Sequence, residues 1–309
     1  MTDDTTATAV PQEHRPLSGV IPIPVTTFYD DGRLDTDGLA SQVRFSVESG
    51  ADGVLYPGVV SEFYTLTDDE RRTAVETVVK AADRQVPTVV GVTGASTASA
   101  VAFAEHARSV GADAVMTMVP YVQHFFSPTT EFARNHMAAV AEAAMLPVIL
   151  QNARVGFPLG VGAVAETVRQ VPGVRYVKQE SNPPTHGISE IVGELGDRID
   201  GVFGGVGGVY LVNELDRGAV GTMPSPAFVD RIVSAYDLYR AEGADAAQRV
   251  LEAMGSLFTR EVLYNVVFHK EVLRRRGVIA STRVRIASPS LDAIDLADLD
   301  RLLDAAHVR

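Results

Sequence analysis

Val174-Arg175-Tyr176-Val177-Lys178-Gln179-Glu180 has the make-up of a short β-strand with one misfit. A buried strand is apolar, and Lys178 interrupts it. The chain uses lysine sparingly: Lys80, Lys178 and Lys270 are its only lysines, and every other fixed positive side chain is arginine. A guanidinium stays protonated and is a poor nucleophile, whereas a desolvated ammonium can lose its proton and attack a carbonyl. Burial favours that loss because it penalises the charged form. The position therefore points to a Schiff-base lysine at Lys178. The alternative is a lysine that snorkels from a strand end to solvent.

Outward from this strand, short β-branched runs alternate with longer amphipathic stretches. The runs lie at residues 19–25, 53–56, 87–92, 114–119, 146–150, 174–180, 199–203 and 219–223. The helical stretches lie at 39–47, 67–83, 97–110, 130–144, 164–170, 188–195, 209–216 and 228–241. Asp35 or Thr36 fits the first helix as N-cap, and Thr67 with Glu70 three residues on fits a capping box. The strands lack clean period-two alternation, as expected when both faces are buried. Eight strand–helix units in about 225 residues predict a (β/α)8 TIM barrel, with helices as right-handed crossovers. A doubly wound open sheet is the runner-up, but no G-x-G-x-x-G fingerprint follows the first strand. The expected organisation is a flexible N-terminal tail at 1–16, the barrel at 17–241 and a C-terminal helical region at 242–309. That last region carries helical stretches at 247–273 and 291–306.

Composition narrows the functions. The chain has 309 residues and is 46% hydrophobic, enough for a large core. A net charge of −12 argues against nucleic acid as a partner. With no cysteine there are no disulfides, zinc-thiolate sites or thiol nucleophiles. No apolar run of about 18 residues predicts a membrane span. The polar first fifteen residues lack the apolar core of a secretory signal, so a cytoplasmic protein is expected. The seven histidines are scattered without ligand spacing, so no metal site is expected.

In such barrels the reactive groups sit at the C-terminal strand ends and in the loops that follow. The residues there are Thr26 and Thr27, then Gly58-Val59-Val60-Ser61-Glu62, Tyr121 and His124, Gln151-Asn152, Lys178 and Glu180, the glycine run 204–208, and Thr222 with Ser225. Together with Pro24-Val25-Thr26-Thr27-Phe28, Thr65-Leu66-Thr67, Pro120-Tyr121 and Gly218-Ala219-Val220-Gly221, this set resembles the dihydrodipicolinate synthase / N-acetylneuraminate lyase family of class I aldolases and dehydratases. The resemblance runs from about Leu17 to the end of the chain. It implies the barrel with its C-terminal helices, a homotetramer, a 2-oxo acid substrate, no cofactor, and an imine at Lys178 that does the work a metal does in a class II aldolase.

The departures from the family pattern matter as much. Members usually carry Gly-Thr-Thr-Gly-Glu after the second strand; here the threonines are Val59 and Val60. A Tyr-Asn pair usually ends the fifth strand, with the tyrosine shuttling protons; here it is Gln151-Asn152. The second of two tyrosines after the fourth strand is Val122, and Arg154 is out of register with the family's carboxylate-binding arginine. Neither an amide nor a valine shuttles protons. The pattern is nearer the 2-keto-3-deoxy-pentonate dehydratase branch, including the L-2-keto-3-deoxyarabonate enzyme, through the Ser-Glu after strand two, the glutamine ending strand five, and Gly277-Val278-Ile279-Ala280-Ser281.

The resemblance thus implies a lysine imine with the C2 ketone of a 2-keto-3-deoxy sugar acid, loss of a C3 proton, and expulsion of the C4 hydroxyl as water. Candidate acid–base groups are Glu62, Tyr121, His124 and Glu180. Each has an alternative: Glu62 as a structural acceptor for backbone N–H groups, His124 as a surface residue, Tyr121 as packing at a subunit contact. Glu180 follows Lys178 by two and shares its side of the strand. Candidate substrate-binding residues are Thr27, Val59, Val60, Ser61, Gln151, Asn152, Glu180, Gly204, Gly205 and Ser225. The glycines allow close backbone approach, or simply a tight turn. Competing readings are a pyruvate-dependent aldolase, the lysine-pathway synthase, and a barrel that binds a 2-oxo acid without turnover.

Overall fold

The computed structural model describes residues 15–120, 127–155 and 157–308. Eight parallel strands form one sheet in the order β1-β8-β7-β6-β5-β4-β3-β2. They are β1 (Gly19–Val20), β2 (Val54–Tyr56), β3 (Thr88–Gly91), β4 (Ala114–Thr117), β5 (Val148–Asn152), β6 (Val174–Gln179), β7 (Gly201–Gly204) and β8 (Gly221–Thr222). Helices follow them in turn: α1 (Thr36–Glu48), α2 (Asp68–Ala82), α3 (Thr97–Ser109), α4 (Thr130–Ala144), α5 (Val161–Gln170), α6 (Pro184–Leu195), α7 (Leu211–Asp216) and α8 (Val229–Glu242). The sheet closes where Asp52 N donates to Val20 O at 2.9 Å and Leu55 N to Pro22 O at 3.0 Å. This is the (β/α)8 barrel expected from the alternation of runs.

The regular part of β1 is short for a chemical reason. Pro22 and Pro24 have no N–H to give to a ladder. The residues before each proline donate instead, Ile21 to Thr222 O at 3.0 Å and Ile23 to Pro224 O at 2.7 Å. Strand β5 begins two residues later than its apolar run, because Pro147 cannot donate and the ladder starts at Val148. The strand also runs two residues beyond that run, with Gln151 and Asn152 pairing beside Lys178 and Gln179. Helix α1 starts from Asp35, whose carboxylate accepts from Gly38 N at 3.0 Å. The Thr67/Glu70 capping box opens α2 as expected. Helices α5 and α6 begin three and four residues earlier than their apolar periodicity, from Gly160 and from Pro184 at the first helical position.

Side chains sort into an interior and an outer shell. Ile21, Ile23, Leu55, Val89, Met116, Ile149, Tyr176, Phe203 and Met223 fill the barrel. Val54, Val90, Val115, Val148, Val177 and Val202 pack outward against the helices. On β6 Tyr176 is interior and Val177 exterior, so Lys178 returns to the interior by the two-residue period of a strand.

Beyond α8 the helical stretch expected at 247–273 is three helices, not one: α9 (Ala244–Ala253), α10 (Gly255–Tyr264) and α11 (Val266–Arg275). The last break falls at Asn265, which adopts φ +47°, a conformation asparagine tolerates better than most residues. A final helix, α12 (Ala293–Ala305), is capped by Asp292. These helices pack as a second apolar cluster with α8 and the start of the barrel. Among the described residues no helix is long and apolar enough to cross a membrane.

Candidate active site

Lys178 lies near the C-terminal end of β6 with its side chain 4% exposed. Its ammonium is 3.3 Å from Glu180 Oε1. Glu180 in turn accepts from Gln151 Nε2 at 2.9 Å and from Val206 N at 3.3 Å. Gln151 stands beside Lys178 in the sheet register, so the amide reaches across from the neighbouring strand. Burial pushes the Glu180 carboxyl up, but the Lys178 charge and these donors outweigh it, and the group is held below the ordinary carboxylate range. A carboxylate therefore sits against the lysine, held by the glutamine of the neighbouring strand.

The loop after β7 makes room for that carboxylate. A Cβ at Gly205 would lie 2.3 Å from Glu180 Oε1, and one at Gly204 would lie 1.8 Å from Glu214 Oε2. Two successive glycines thus admit two carboxyl groups to the backbone. The next residue, Val206, is held at φ +52°, a costly conformation for a β-branched side chain, and its N–H meets Glu180. Glu214 on α7 is fully buried, with the Gly205 backbone only partly offsetting its desolvation. Burial, reinforced by the nearby Glu180 charge, pushes its pKa up to about 8.

A cavity of about 230 Å³ opens over Lys178. Val59, Val60, Gln151, Lys178, Glu180 and Ser225 line it, so six of the expected residues meet there. The others among the described residues do not line it. Thr27 donates to Asp35 O at 2.6 Å, tying β1 to the start of α1. Ser61 donates to Pro24 O and accepts from Gly58 N, bracing the turn after β2. Asn152 holds the following loop through Leu159 and bonds Gln179 and Ser181. Gly204 and Gly205 serve as the backing just described. Tyr121 and His124 lie outside the described residues.

Glu62 also stands apart from the cavity. It is fully buried, 2.6 Å from the equally buried Lys270 Nζ. Its second oxygen accepts from Arg285 N at 2.9 Å and Ile286 N at 3.2 Å. This is the acceptor arrangement weighed as its alternative role. Burial lowers the Lys270 pKa, with Glu62 opposing the shift. The chain therefore buries two lysines, one paired with Glu62 and one facing a cavity.

The far wall was not foreseen from the sequence. Phe258, Glu261, Val262, Asn265 and His269 come from α10, α11 and the break between them. Arg154, noted in the sequence only as out of register, also lines the cavity. No spacing rule connects these helices to the barrel mouth, because a sequence does not say how a trailing helix docks. A larger hollow of about 810 Å³ sits at the opposite end of the barrel, among Arg15, Leu17, Pro147, Arg175, Tyr176 and Asp200. It is remote from Lys178, and barrel chemistry occurs at the other face.

Residues 16–305 match the model of the dihydrodipicolinate synthetase family. The L-2-keto-3-deoxyarabonate dehydratase of Azospirillum brasilense is 30% identical over 283 residues, covering 91% of this chain and 92% of that protein. A 4-hydroxy-tetrahydrodipicolinate synthase from Ralstonia nicotianae is 36% identical over a shorter 165 residues, 53% of this chain and 55% of that one. Among solved structures, dihydrodipicolinate synthase from Rhodopseudomonas palustris superposes with a TM-score of 0.86 at 25% identity, over 94% of this chain and 98% of that one.

Proposed function

We propose, on the premise that this chain belongs to the dihydrodipicolinate synthetase family of lyases and synthases, that it dehydrates a 2-keto-3-deoxy sugar acid through an imine at Lys178. The observation that carries the reading is the buried Lys178–Glu180 pair at 3.3 Å beneath an open cavity. Glu180 accepts the ammonium proton, and the free amine attacks the C2 ketone. Glu180 gives that proton to the carbinolamine hydroxyl, which leaves as water, so a protonated imine forms and Glu180 is again a carboxylate. Glu180 then removes a C3 proton, the electron pair moves toward the imine nitrogen, and the enamine expels the C4 hydroxyl as water while Glu180 returns the proton. A proton shift from C5 to C3, ketonisation of the resulting C4–C5 enol by a proton at C4, and hydrolysis of the imine release a 2-oxo semialdehyde and free lysine. The first N–H groups of the short 3₁₀ turn Val59–Ser61 have no partner within the turn, and Val59 and Val60 line the cavity. These N–H groups, with Arg154, are suited to the C1 carboxylate.

The glutamine and the two valines leave a synthase without the hydroxyls that its proton relay uses, which weighs against synthase chemistry. Borohydride reduction in the presence of a 2-keto-3-deoxy pentonate, followed by peptide mass spectrometry, tests the reading. A stable adduct on the Lys178 peptide, absent in Lys178→Ala, is the expected result. Release of pyruvate from the unreduced mixture would replace dehydration with aldol cleavage. Binding with neither adduct nor turnover would leave a 2-oxo acid-binding barrel.

A further inference from the structure

The cavity has two chemically different walls. The barrel wall carries Lys178, Glu180 and Gln151, the groups of the reacting end. The opposite wall, from α10 and α11, is apolar through Phe258 and Val262 and carries two titratable side chains, Glu261 and His269. The His269 side chain is 1% exposed and Glu261 15%. Their mutual approach, His269 Nε2 to Glu261 Oε1, is 3.5 Å, the far limit of a hydrogen bond. His269 Nδ1 is buried with no hydrogen-bond partner. A buried polar group without a partner is costly unless something else satisfies it, and His269 is among the residues that line the cavity.

The loop after β7 yields to Glu261 as it does to Glu180. A Cβ at Gly207 would lie 2.5 Å from Glu261 Oε1, and Gly207 has φ +69°. Gly205 backs Glu180 and Gly207 backs Glu261, so the two carboxyl groups flank one short loop. One faces the lysine and the other belongs to the helical wall. We propose that Glu261 and His269 form the subsite for the hydroxylated tail of the 2-oxo acid held at Lys178, exchanging hydrogen bonds with its hydroxyl groups and so selecting which 2-oxo acid the barrel accepts. The inference rests on the imine reading above and adds to it the part of the site that reads the substrate beyond C3.

The charge state of the pair fits neutral hydroxyls. Burial raises the Glu261 pKa to about 7 and lowers that of His269 to about 4. Near neutrality His269 is therefore uncharged, and much of Glu261 is a neutral acid. A carboxyl and an imidazole of this kind each offer one donor and one acceptor, which matches a diol and not a terminal carboxylate.

The test is borohydride trapping at Lys178 in the full chain, titrated with pyruvate, which has no tail, and with a 2-keto-3-deoxy pentonate, which has one. Wild type, Glu261→Ala, Glu261→Gln, His269→Ala and His269→Gln are compared by the ratio of half-saturating concentrations, pentonate over pyruvate. The ratio is expected to rise about tenfold or more in both alanine variants, since an unread hydroxyl loses its partner, and to recover partly in the glutamine variants. Pyruvate trapping in each variant doubles as the check that the barrel is folded. If the two ligands weaken in parallel, or the ratio is unchanged, the pair only props the helices and the tail assignment is overturned. If wild type is labelled by neither ligand, the imine reading itself falls, an outcome distinct from labelling with an unchanged ratio.

Discussion

At the scale of residues the site turns on one substitution of roles. Where the family's tyrosine is absent, Gln151 donates to Glu180 instead of moving protons itself, and Glu180 sits on the lysine. If Glu180 is the general base, Glu180→Gln keeps the geometry and loses the titration. Adduct formation with pyruvate should then slow, because Glu180 also frees the amine, and turnover should fall about 10²–10⁴-fold. The pH profile follows from the direction of the shift. The Glu180 carboxyl is held below its ordinary value, so its basic form persists at acid pH. Turnover should therefore decline only as pH falls beneath the usual carboxylate range near 4.5. An acid limb at or above that range, measured as kcat/KM against pH, would assign the base elsewhere.

At the scale of elements, β7, its glycine loop and α7 bring buried acids next to the lysine strand. Glu214 is the extreme case, with a pKa of about 8 against an ordinary 4.5. The sign of its linkage is clear. The folded pKa is raised, so the folded state holds its proton more tightly than the unfolded chain. Stability is unpenalised below pH 4.5 and is lost as pH rises from 4.5 toward 8. Glu214→Gln cannot ionise and should escape that loss. Its melting temperature should exceed the wild type's by on the order of 5 °C at pH 8.5, with the difference gone by about pH 4.5. A constant offset across that range would mean the carboxyl is not buried as an acid. Element boundaries were legible where a cap speaks, as at Thr67, but not at Pro184, which opens α6 four residues ahead of the expected start. They were not legible at Asn265, where a left-handed residue breaks a continuous helical pattern.

At the scale of the whole molecule, a buried ion pair fastens the C-terminal helices to the barrel. Glu62, beyond β2, meets Lys270 on α11 and the backbone of 285–286, with the Lys270 ammonium 4.8 Å from the centre of the Phe28 ring. Cutting one partner strands the other charge in the core. Glu62→Ala should cost about 3–5 kcal/mol in denaturant unfolding, and Glu62→Leu combined with Lys270→Met should recover much of it. If Glu62→Ala is neutral, the pair does not hold the two regions together. Because α10 and α11 also build the far wall of the cavity, loosening this link should weaken ligand retention at Lys178 as well.

The sequence by itself determined the barrel and the lysine on its interior strand. Both are written in local terms: a repeated alternation of short apolar runs and amphipathic stretches, and a cation placed on an interior strand of a chain that otherwise uses arginine. It also placed Glu180 on the lysine's side, because a strand repeats every two residues. The tertiary structure alone decided which carboxylate faces the cavity. Glu62 and Glu180 look alike in the sequence, yet one is consumed by a lysine 208 residues away and the other is not. The same holds for Glu261 and His269. Their place at the barrel mouth depends on how three trailing helices dock, and docking is set by packing between distant surfaces that no local pattern encodes.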